Sequence, residues 1–210
     1  MLFRSRQVAS LEFADAISQK VEGAGLVSAE ARELFREHVT DYCAGAIQMP
    51  YRRFLRACET TGYDLAVLQR RFASSFDQVA QRLTTLQRVG ERGLPFFSAR
   101  FGRTGRMVAF TAGASGVIYP MEGARWPAWA PYAAFESRGT MLMQSVMFGE
   151  GEAAPRHWFT IARTVEVDGV ACSARKAIVL GVEARFATEL TQANGVSLDP
   201  SDAMPLGTPC

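Results

Sequence analysis

Apolar residues recur every three or four positions along the stretch 49–88, which predicts three short amphipathic helices. Pro50 suits the first turn of the first helix, and Gly62 suits its end. Ser75 and Gln78 form a capping box before the third helix, because hydroxyl and amide can each satisfy a free backbone N–H. The apolar positions are Tyr51, Leu55 and Cys58, then Leu65, Leu68 and Phe72, then Phe76, Val79, Leu83 and Leu86. The outline resembles a helix-turn-helix.

Two further helices are predicted before this stretch. The first covers residues 10–22, with Leu11, Ala14, Ile17 and Val21 on its apolar face, and ends at three small residues, 23–25. The second begins after Ser28, a favourable N-cap residue, and continues through Ala46. The first 90 or so residues are therefore predicted to be wholly helical.

The pattern changes at residues 90–95, where Gly90, Gly93 and Pro95 mark a boundary. Aromatic and β-branched residues become frequent beyond it, which is typical of strands. Strands are predicted over 96–101, 106–110, 114–119, 141–148, 157–165 and 176–182. A hairpin is expected across 102–105 and a turn at Asp168-Gly169. A short helix or packed loop is predicted at 126–135, and a last helix at 186–192. The predicted fold is α+β, with an N-terminal helical region (1–92) followed by a mainly antiparallel sheet with small helices (93–210).

Composition describes an ordinary water-soluble protein of 210 residues, with 48% hydrophobic residues and a net charge of +2. The N-terminus has no apolar segment typical of a signal peptide. The longest uncharged run, 107–121, is shorter than the roughly 20 residues of a membrane span. The four cysteines lie far apart and form no C-x-x-C pair. We therefore expect a cytoplasmic protein with reduced thiols and no membrane contact.

Motifs for catalysis and metal binding are missing. His38 and His157 are the only histidines, and neither belongs to an H-E-x-x-H motif. The sequence contains no G-x-S-x-G elbow and no phosphate-binding glycine loop. Cys43 and Cys58 fall on apolar helical faces, where a buried structural thiol is the usual interpretation. The sequence predicts neither catalytic residues nor a metal site.

Arginine dominates the basic residues, since Lys20 and Lys176 are the only lysines. Between Met49 and Arg92, eight arginines face four acidic residues. An anion or nucleic-acid surface is one interpretation, and an ordinary solvated surface is the other. Further along, aromatic residues and arginines interleave over residues 96–135. They would suit a ligand with apolar and anionic parts, or they could form the core and solvated edge of a sheet.

Several segments together resemble the short-chain fatty acyl-CoA transcriptional regulators, which have an XRE-type DNA-binding domain, an ImmA/IrrE-like middle and a C-terminal sensor. The resemblance covers about residues 38–210. The segments are 42–51, Tyr63-Asp64, 71–88, Leu94-Pro95-Phe96-Phe97, Trp129 to Phe135, Ile161-Ala162-Arg163-Thr164-Val165 and 177–183. It implies a bacterial regulator whose C-terminal region binds an acyl-CoA or a related metabolite.

The sequence departs from that family in three places. The XRE domain and the H-E-x-x-H helix are missing, and Val108-Ala109-Phe110 replaces a basic pair that would recognise phosphate. The family continues into a cysteine-rich tail, whereas this chain has Cys210 alone, and one thiolate cannot hold an iron–sulfur cluster that needs about four. We expect a fragment of a longer regulator or a stand-alone sensor paralogue.

Two main hypotheses follow, and a remnant peptidase is a third, which the missing H-E-x-x-H motif disfavours. In the first, the chain is a homodimeric ligand sensor that reaches DNA through a missing or separate XRE domain. Its predicted ligand-binding residues are Tyr51, Phe54, Phe97, Arg100, Arg106, Trp126, Trp129 and Arg163. In the second, the segment 64–88 itself binds DNA. Its predicted contacts are Arg70, Arg71, Gln78, Gln81, Arg82 and Thr85.

Overall fold

The computed structural model describes residues 2–117, 129–148, 155–166 and 175–206. The first part is helical, as predicted. Its helices are α1 (Leu2–Glu12), α2 (Ala14–Glu22), α3 (Ala29–Gln48), α4 (Tyr51–Thr60), α5 (Leu65–Phe72) and α6 (Phe76–Thr84). Ser28 accepts a hydrogen bond from the Ala31 N–H at the start of α3. The capping box of Ser75 and Gln78 is present at the start of α6.

The N-terminal helix differs from the prediction. One helix was expected over 10–22, but α1 begins at Leu2 and the helix breaks at Phe13, which has φ −115° and ψ 16°. Ile17 and Val21 are buried, whereas Leu11 is 78% exposed. The break separates the apolar positions onto two helices, so the single apolar face read from the sequence does not form.

The second part is a six-stranded sheet in the order β4-β3-β7-β6-β5-β8, preceded by a small ribbon of β1 and β2. The strands are β1 (Gln87–Arg88), β2 (Glu91–Arg92), β3 (Phe97–Gly102), β4 (Met107–Thr111), β5 (Leu142–Phe148), β6 (Arg156–Glu166), β7 (Arg175–Glu183) and β8 (Met204–Pro205). All pairs are antiparallel except β5 with β8. This confirms the α+β class and the mainly antiparallel sheet.

Two sequence predictions differ from the structure, and two others lie partly or wholly outside the described residues. No strand forms over 114–117, because Gly113 and Gly116 have positive φ angles of 56° and 65° and the chain turns there. The expected last helix is two 3-10 turns, Ala184–Glu189 and Thr191–Ala193, separated by the extended Leu190. A short helix, α7 (Ala130–Ala133), forms inside the segment 126–135, of which 126–128 lie outside the described residues, as does the Asp168-Gly169 turn.

The sheet has a hydrophobic cluster on each side. We call the side that packs against α4, α5 and α6 the near face; its strands contribute Phe159, Ile161, Ile178, Leu180 and Val182. We call the opposite side the far face; its cluster includes Phe97, Phe101, Trp129, Phe148 and Trp158. Successive residues of a strand point to opposite sides, so Trp158 and Phe159 belong to different clusters. Within the described ranges, no helix combines the length and apolar character needed to cross a membrane.

Candidate functional site: a sheet with two aromatic faces

Tyr51 and Phe54 lie in the near-face core. Both are on α4, and they are 7% and 0% exposed. The Tyr51 hydroxyl donates to the Glu91 carbonyl at 2.6 Å and accepts from the Arg88 N–H at 2.9 Å. Phe54 meets Phe72 edge to face at 5.1 Å between ring centroids. Tyr51 thus attaches α4 to the small ribbon, while Phe54 fills the space between α4 and α5.

Arg100 and Arg163 extend from the near face of the sheet towards the helices. Arg100 forms an ion pair with Asp77 of α6 at 2.8 Å and donates to the Gln81 Oε1 at 2.6 Å. Lys176 of β7 reaches the other carboxylate oxygen of Asp77 at 2.6 Å. Arg163 donates to the Gln69 Oε1 at 3.4 Å. These contacts tie the helical layer to the sheet.

Phe97 and Trp129 lie on the far face, both fully buried. Phe97 meets Trp158 edge to face at 5.4 Å, and Trp129 meets Phe101 in the same way at 5.4 Å. The Phe97 ring lies against Gly181 of β7, so closely that a Cβ at that position would collide with it. The glycine paired with Phe97 is therefore what allows this ring to lie directly on the neighbouring strand.

Trp158 carries the most unusual polar group of the far face. Its indole N–H is buried and has no hydrogen-bond partner among the described residues. The Arg156 guanidinium stacks over the same indole at 4.8 Å and also pairs with Glu183 at 2.9 Å. A buried donor without an acceptor costs about 1–3 kcal/mol, so this N–H is a position where a ligand acceptor would be stabilising.

The structure thus divides the eight predicted ligand-binding residues into separate groups. Tyr51, Phe54, Arg100 and Arg163 lie on the near-face side, and Phe97 and Trp129 lie on the far face. Arg106 is exposed just before β4, whose Met107 packs against the far-face cluster. Trp126 lies outside the described residues. The described members on opposite sides of the sheet do not share one cavity, and the role of the set in binding remains a prediction.

Four of the six predicted DNA contacts have partners inside the protein. Arg82 is 4% exposed, donates to the Met49 carbonyl at 3.0 Å and reaches the Thr85 hydroxyl at 3.1 Å. Gln78 belongs to the capping box, and Gln81 accepts from Arg100. Arg70 and Arg71 remain exposed at the end of α5. DNA binding by this segment also stays a prediction, and these two arginines are the predicted residues that remain free to contact DNA.

The sequence indicated the arginine-rich stretch 49–92 as a possible anion or nucleic-acid surface, but it did not specify two arrangements that the structure shows. The first is an open groove of about 520 Å³ lined by Arg52, Arg53, Arg56, Thr60 and Arg71. Its signal was available, because Arg53, Arg56 and Thr60 follow at i, i+3 and i+7 on one helix.

The second missed arrangement is a serine–histidine pair between β5 and β6. The Ser145 Oγ and the His157 Nε2 lie 2.6 Å apart. Burial lowers the pKa of His157, and the Asp199 carboxylate partly opposes that shift. Asp199 accepts its hydrogen bonds from Ser201, and no described carboxylate hydrogen-bonds to the His157 ring. The pair therefore lacks the third group that orients the base in a catalytic triad.

The burial of the thiols of Cys43 and Cys58 suggests structural roles for them. Cys58 is buried, and burial raises its pKa to about 12, so its thiol stays protonated at neutral pH. Cys43, partly exposed, also has its pKa raised by burial. No three histidine, cysteine or acidic side chains come together as a metal site within the parts of the chain that the structure describes. Cys210 lies outside them.

Two family models match this chain, one after the other along the sequence. Residues 85–210 match the C-terminal domain of the short-chain fatty acyl coenzyme A regulators. Residues 2–84 match the IrrE N-terminal-like domain. The two matches meet close to the end of α6, and the domain division after residue 92 stays a prediction.

Relatives of known name are bacterial regulators. The chain is 35% identical over 210 residues to the HTH-type transcriptional regulator RamB of Mycobacterium tuberculosis, and 34% identical over 208 residues to PrpR of the same species. It is 36% identical over 207 residues to the propionyl-CoA carboxylase regulator of Cereibacter sphaeroides. Each match covers 97% of this chain but only 43%, 42% and 44% of the relative. The chain therefore spans less than half the length of these relatives.

A solved structure shows the same fold. A transcriptional regulator of Mycobacterium tuberculosis superposes with a TM-score of 0.88 at 33% sequence identity. The match covers all of this chain and 63% of that chain. The helical layer and the two-faced sheet are thus an arrangement shared with a known regulator.

Proposed function

The chain belongs to the short-chain fatty acyl-coenzyme A regulator family, and from this premise we propose that it is the ligand-sensing part of a bacterial transcription regulator. The match of residues 85–210 to the regulator's C-terminal domain carries this proposal. The proposed ligand is an acyl-CoA or a related metabolite. We further propose a non-catalytic, cytoplasmic homodimer that reaches DNA through a separate XRE domain.

We place the apolar part of the ligand against the far face. Phe97 and Trp129, both predicted ligand-binding residues, belong to its aromatic cluster, and ligand sites are mostly apolar with few polar groups. The buried indole N–H of Trp158 would supply such a polar group to a ligand acceptor, such as a thioester carbonyl.

The anionic part of the ligand would be held by arginine. Arg106 is exposed and directly precedes Met107, which packs against the far-face cluster, so a phosphate could pair with its guanidinium without breaking an ion pair with a described residue. Arg100 and Arg163 already have Asp77 and Gln69 as partners, and contact with a ligand would require them to exchange these. Among the predicted arginines, Arg106 is therefore our first choice.

The test is a thermal-unfolding titration with acetyl-, propionyl- and butyryl-CoA, with free CoA and the free acids as controls. A ligand that binds only the folded state stabilises it by about 2.7 kcal/mol at a concentration of 100 Kd, which raises Tm. We expect at least one acyl-CoA to raise Tm more than free CoA does. No response to any member of the panel would overturn the proposal.

Matched substitutions decide which face binds. Phe97→Leu on the far face pairs with Phe54→Leu in the near-face core, since both rings are fully buried. Arg106→Gln pairs with Arg163→Gln, because each change removes one arginine charge near one face of the sheet. We expect the far-face changes to weaken the acyl-CoA response, and the near-face changes to lower the Tm of the free protein while the response persists. The opposite pattern would move the ligand to the near face.

A further inference from the structure

The outer face of α4 carries a row of arginines. Tyr51, Phe54 and Leu55 face the core, which directs the intervening arginines outward and fixes them on a rigid helix. Arg71 joins them from the last turn of α5. The arginine groove lined by Arg52, Arg53, Arg56, Thr60 and Arg71 has a volume of about 520 Å³.

Most of the positive charge in the arginine groove is uncompensated. Arg52 pairs with Glu91 at 2.9 Å, and its side chain remains 82% exposed. Arg53, Arg56 and Arg71 form no ion pair with any described residue. Like charges three or four residues apart on a helix repel each other, and a bound anion would remove that repulsion.

The lining of the groove identifies the class of anion. Its side chains are four arginines and one threonine, without an aromatic or large aliphatic residue to hold a base or an acyl chain. Small-molecule sites enclose most of their ligand in apolar walls, whereas contacts to a nucleic-acid backbone remain exposed and use arginine and threonine. The groove has the chemistry of a phosphate-backbone contact.

The dimensions fit a short run of phosphates. Arg53 and Thr60 are seven residues apart, which is about 10 Å along a helix that rises 1.5 Å per residue. One DNA strand carries a phosphate every 3.4 Å of axis, so the row matches about three nucleotides. Because the named relatives are transcriptional regulators, DNA is the polyanion that best fits this groove.

We propose that the arginine groove binds the sugar-phosphate backbone of duplex DNA without reading its sequence. This contact is distinct from the predicted set on α5 and α6, of which it uses only Arg71. It is also independent of the far-face ligand site. It would supplement the binding of a separate sequence-reading domain.

The test measures binding of the 210-residue chain to a fluorescent duplex of arbitrary sequence over a range of salt concentrations. The groove variant is Arg53→Gln with Arg56→Gln. Its control is Arg103→Gln with Arg138→Gln, which removes the same charge from two exposed arginines elsewhere. Each lost phosphate contact lowers the salt slope by about one, so the groove variant should lose about two and bind at least about tenfold more weakly.

The results of these binding measurements either support or overturn the DNA-backbone proposal. Loss of affinity and slope in the groove variant, with the control unchanged, supports the proposal. Equal losses in both variants would show attraction by net charge alone and overturn it, as would failure of the unaltered chain to bind at low salt. Saturable binding of inorganic pyrophosphate at the groove without duplex binding would also overturn it. Arg53→Lys with Arg56→Lys should retain most of the binding, because it keeps the charge.

The acyl-CoA titration of the same variants distinguishes this proposal from the ligand-sensing one. We expect the groove variant to keep its acyl-CoA response, which would also show that it folds. Loss of DNA binding with the acyl-CoA response retained assigns the groove to DNA alone. A chain that responds to acyl-CoA but never binds duplex DNA refutes the groove proposal and leaves ligand sensing standing.

Discussion

The two faces of the sheet are both aromatic, but they differ in how their polar groups are satisfied. On the near face, Arg100 and Lys176 share Asp77, and the Tyr51 hydroxyl both donates and accepts. On the far face, the buried Trp158 indole N–H has no acceptor within the described ranges. These near-face groups are thus paired within the protein, whereas the far face retains a buried donor that a ligand could use.

The helices that cover the two faces of the sheet also differ, and the near face is again the more firmly held. Three helices, α4, α5 and α6, contribute to the near-face cluster. Among the described helices, only the four-residue α7 lies in the far-face cluster. A face held by long helices and ion pairs suits a structural role, and a face under a short helix suits a site that must admit a ligand. The comparison therefore favours the far face for sensing.

Removing one aromatic ring from each face should give the largest loss of folding stability. Phe159→Ala on the near face and Phe148→Ala on the far face remove rings that are 0% and 1% exposed. Truncation of a buried phenylalanine costs about 3–5 kcal/mol. We expect Phe159→Ala to be the more destabilising, because the near face is held rigidly and relaxes less around a cavity. Urea unfolding measures both, and an equal or reversed order would show that the far face is packed as tightly as the near face.

Removing the charge of Asp77 should have the next largest effect. Asp77→Asn leaves Arg100 and Lys176, whose side chains are 19% and 30% exposed, without their carboxylate. Hydrogen bonds to charged groups contribute about 1.5–3 kcal/mol, and we expect a loss in that range.

The control for Asp77 is Glu183→Gln, because Glu183 also pairs with two cations. Its partners Arg156 and Arg185 are 41% and 69% exposed, so solvent screens these pairs and the loss should stay below about 1 kcal/mol. Chemical denaturation of the two variants measures how much unfolding free energy each one loses. A larger loss for Glu183→Gln would mean that Asp77 does not hold the helices to the sheet.

The sequence predicted the helices of the near face well, because their boundaries are encoded locally. Ser28, Ser75 and Gln78 cap their helices as predicted, and the apolar spacing of 49–88 matches α4, α5 and α6. The two-residue strands β1, β2 and β8 escaped prediction since so short a strand shows no alternation. The break at Phe13 depends on packing between helices, which local spacing does not reveal.

The candidate site was harder to predict because its residues come from both sides of one sheet. Alternation along β3 did contain a signal, since Phe97 and Phe101 face one way and Arg100 the other. Which side the helices cover depends on contacts between distant residues, such as Arg100 with Asp77 and Lys176 with Asp77. No local pattern specifies those pairs, so the sequence identified aromatic residues and arginines without separating the two faces.

The smallest expected effect concerns His157, which lies on the same side of the sheet as Phe159, two residues away on β6. Burial lowers the pKa of His157 below its usual 6.5, so the folded state prefers the neutral ring and the unfolded state binds the proton more readily. Its contribution to stability is therefore complete above pH 6.5 and declines as the pH falls from 6.5 to the lowered value. We compare unfolding free energies of the unaltered chain and His157→Gln between pH 5 and 8. The difference should grow as the pH rises through that window and then level off, whereas growth towards acid would mean that the charged ring is stabilised.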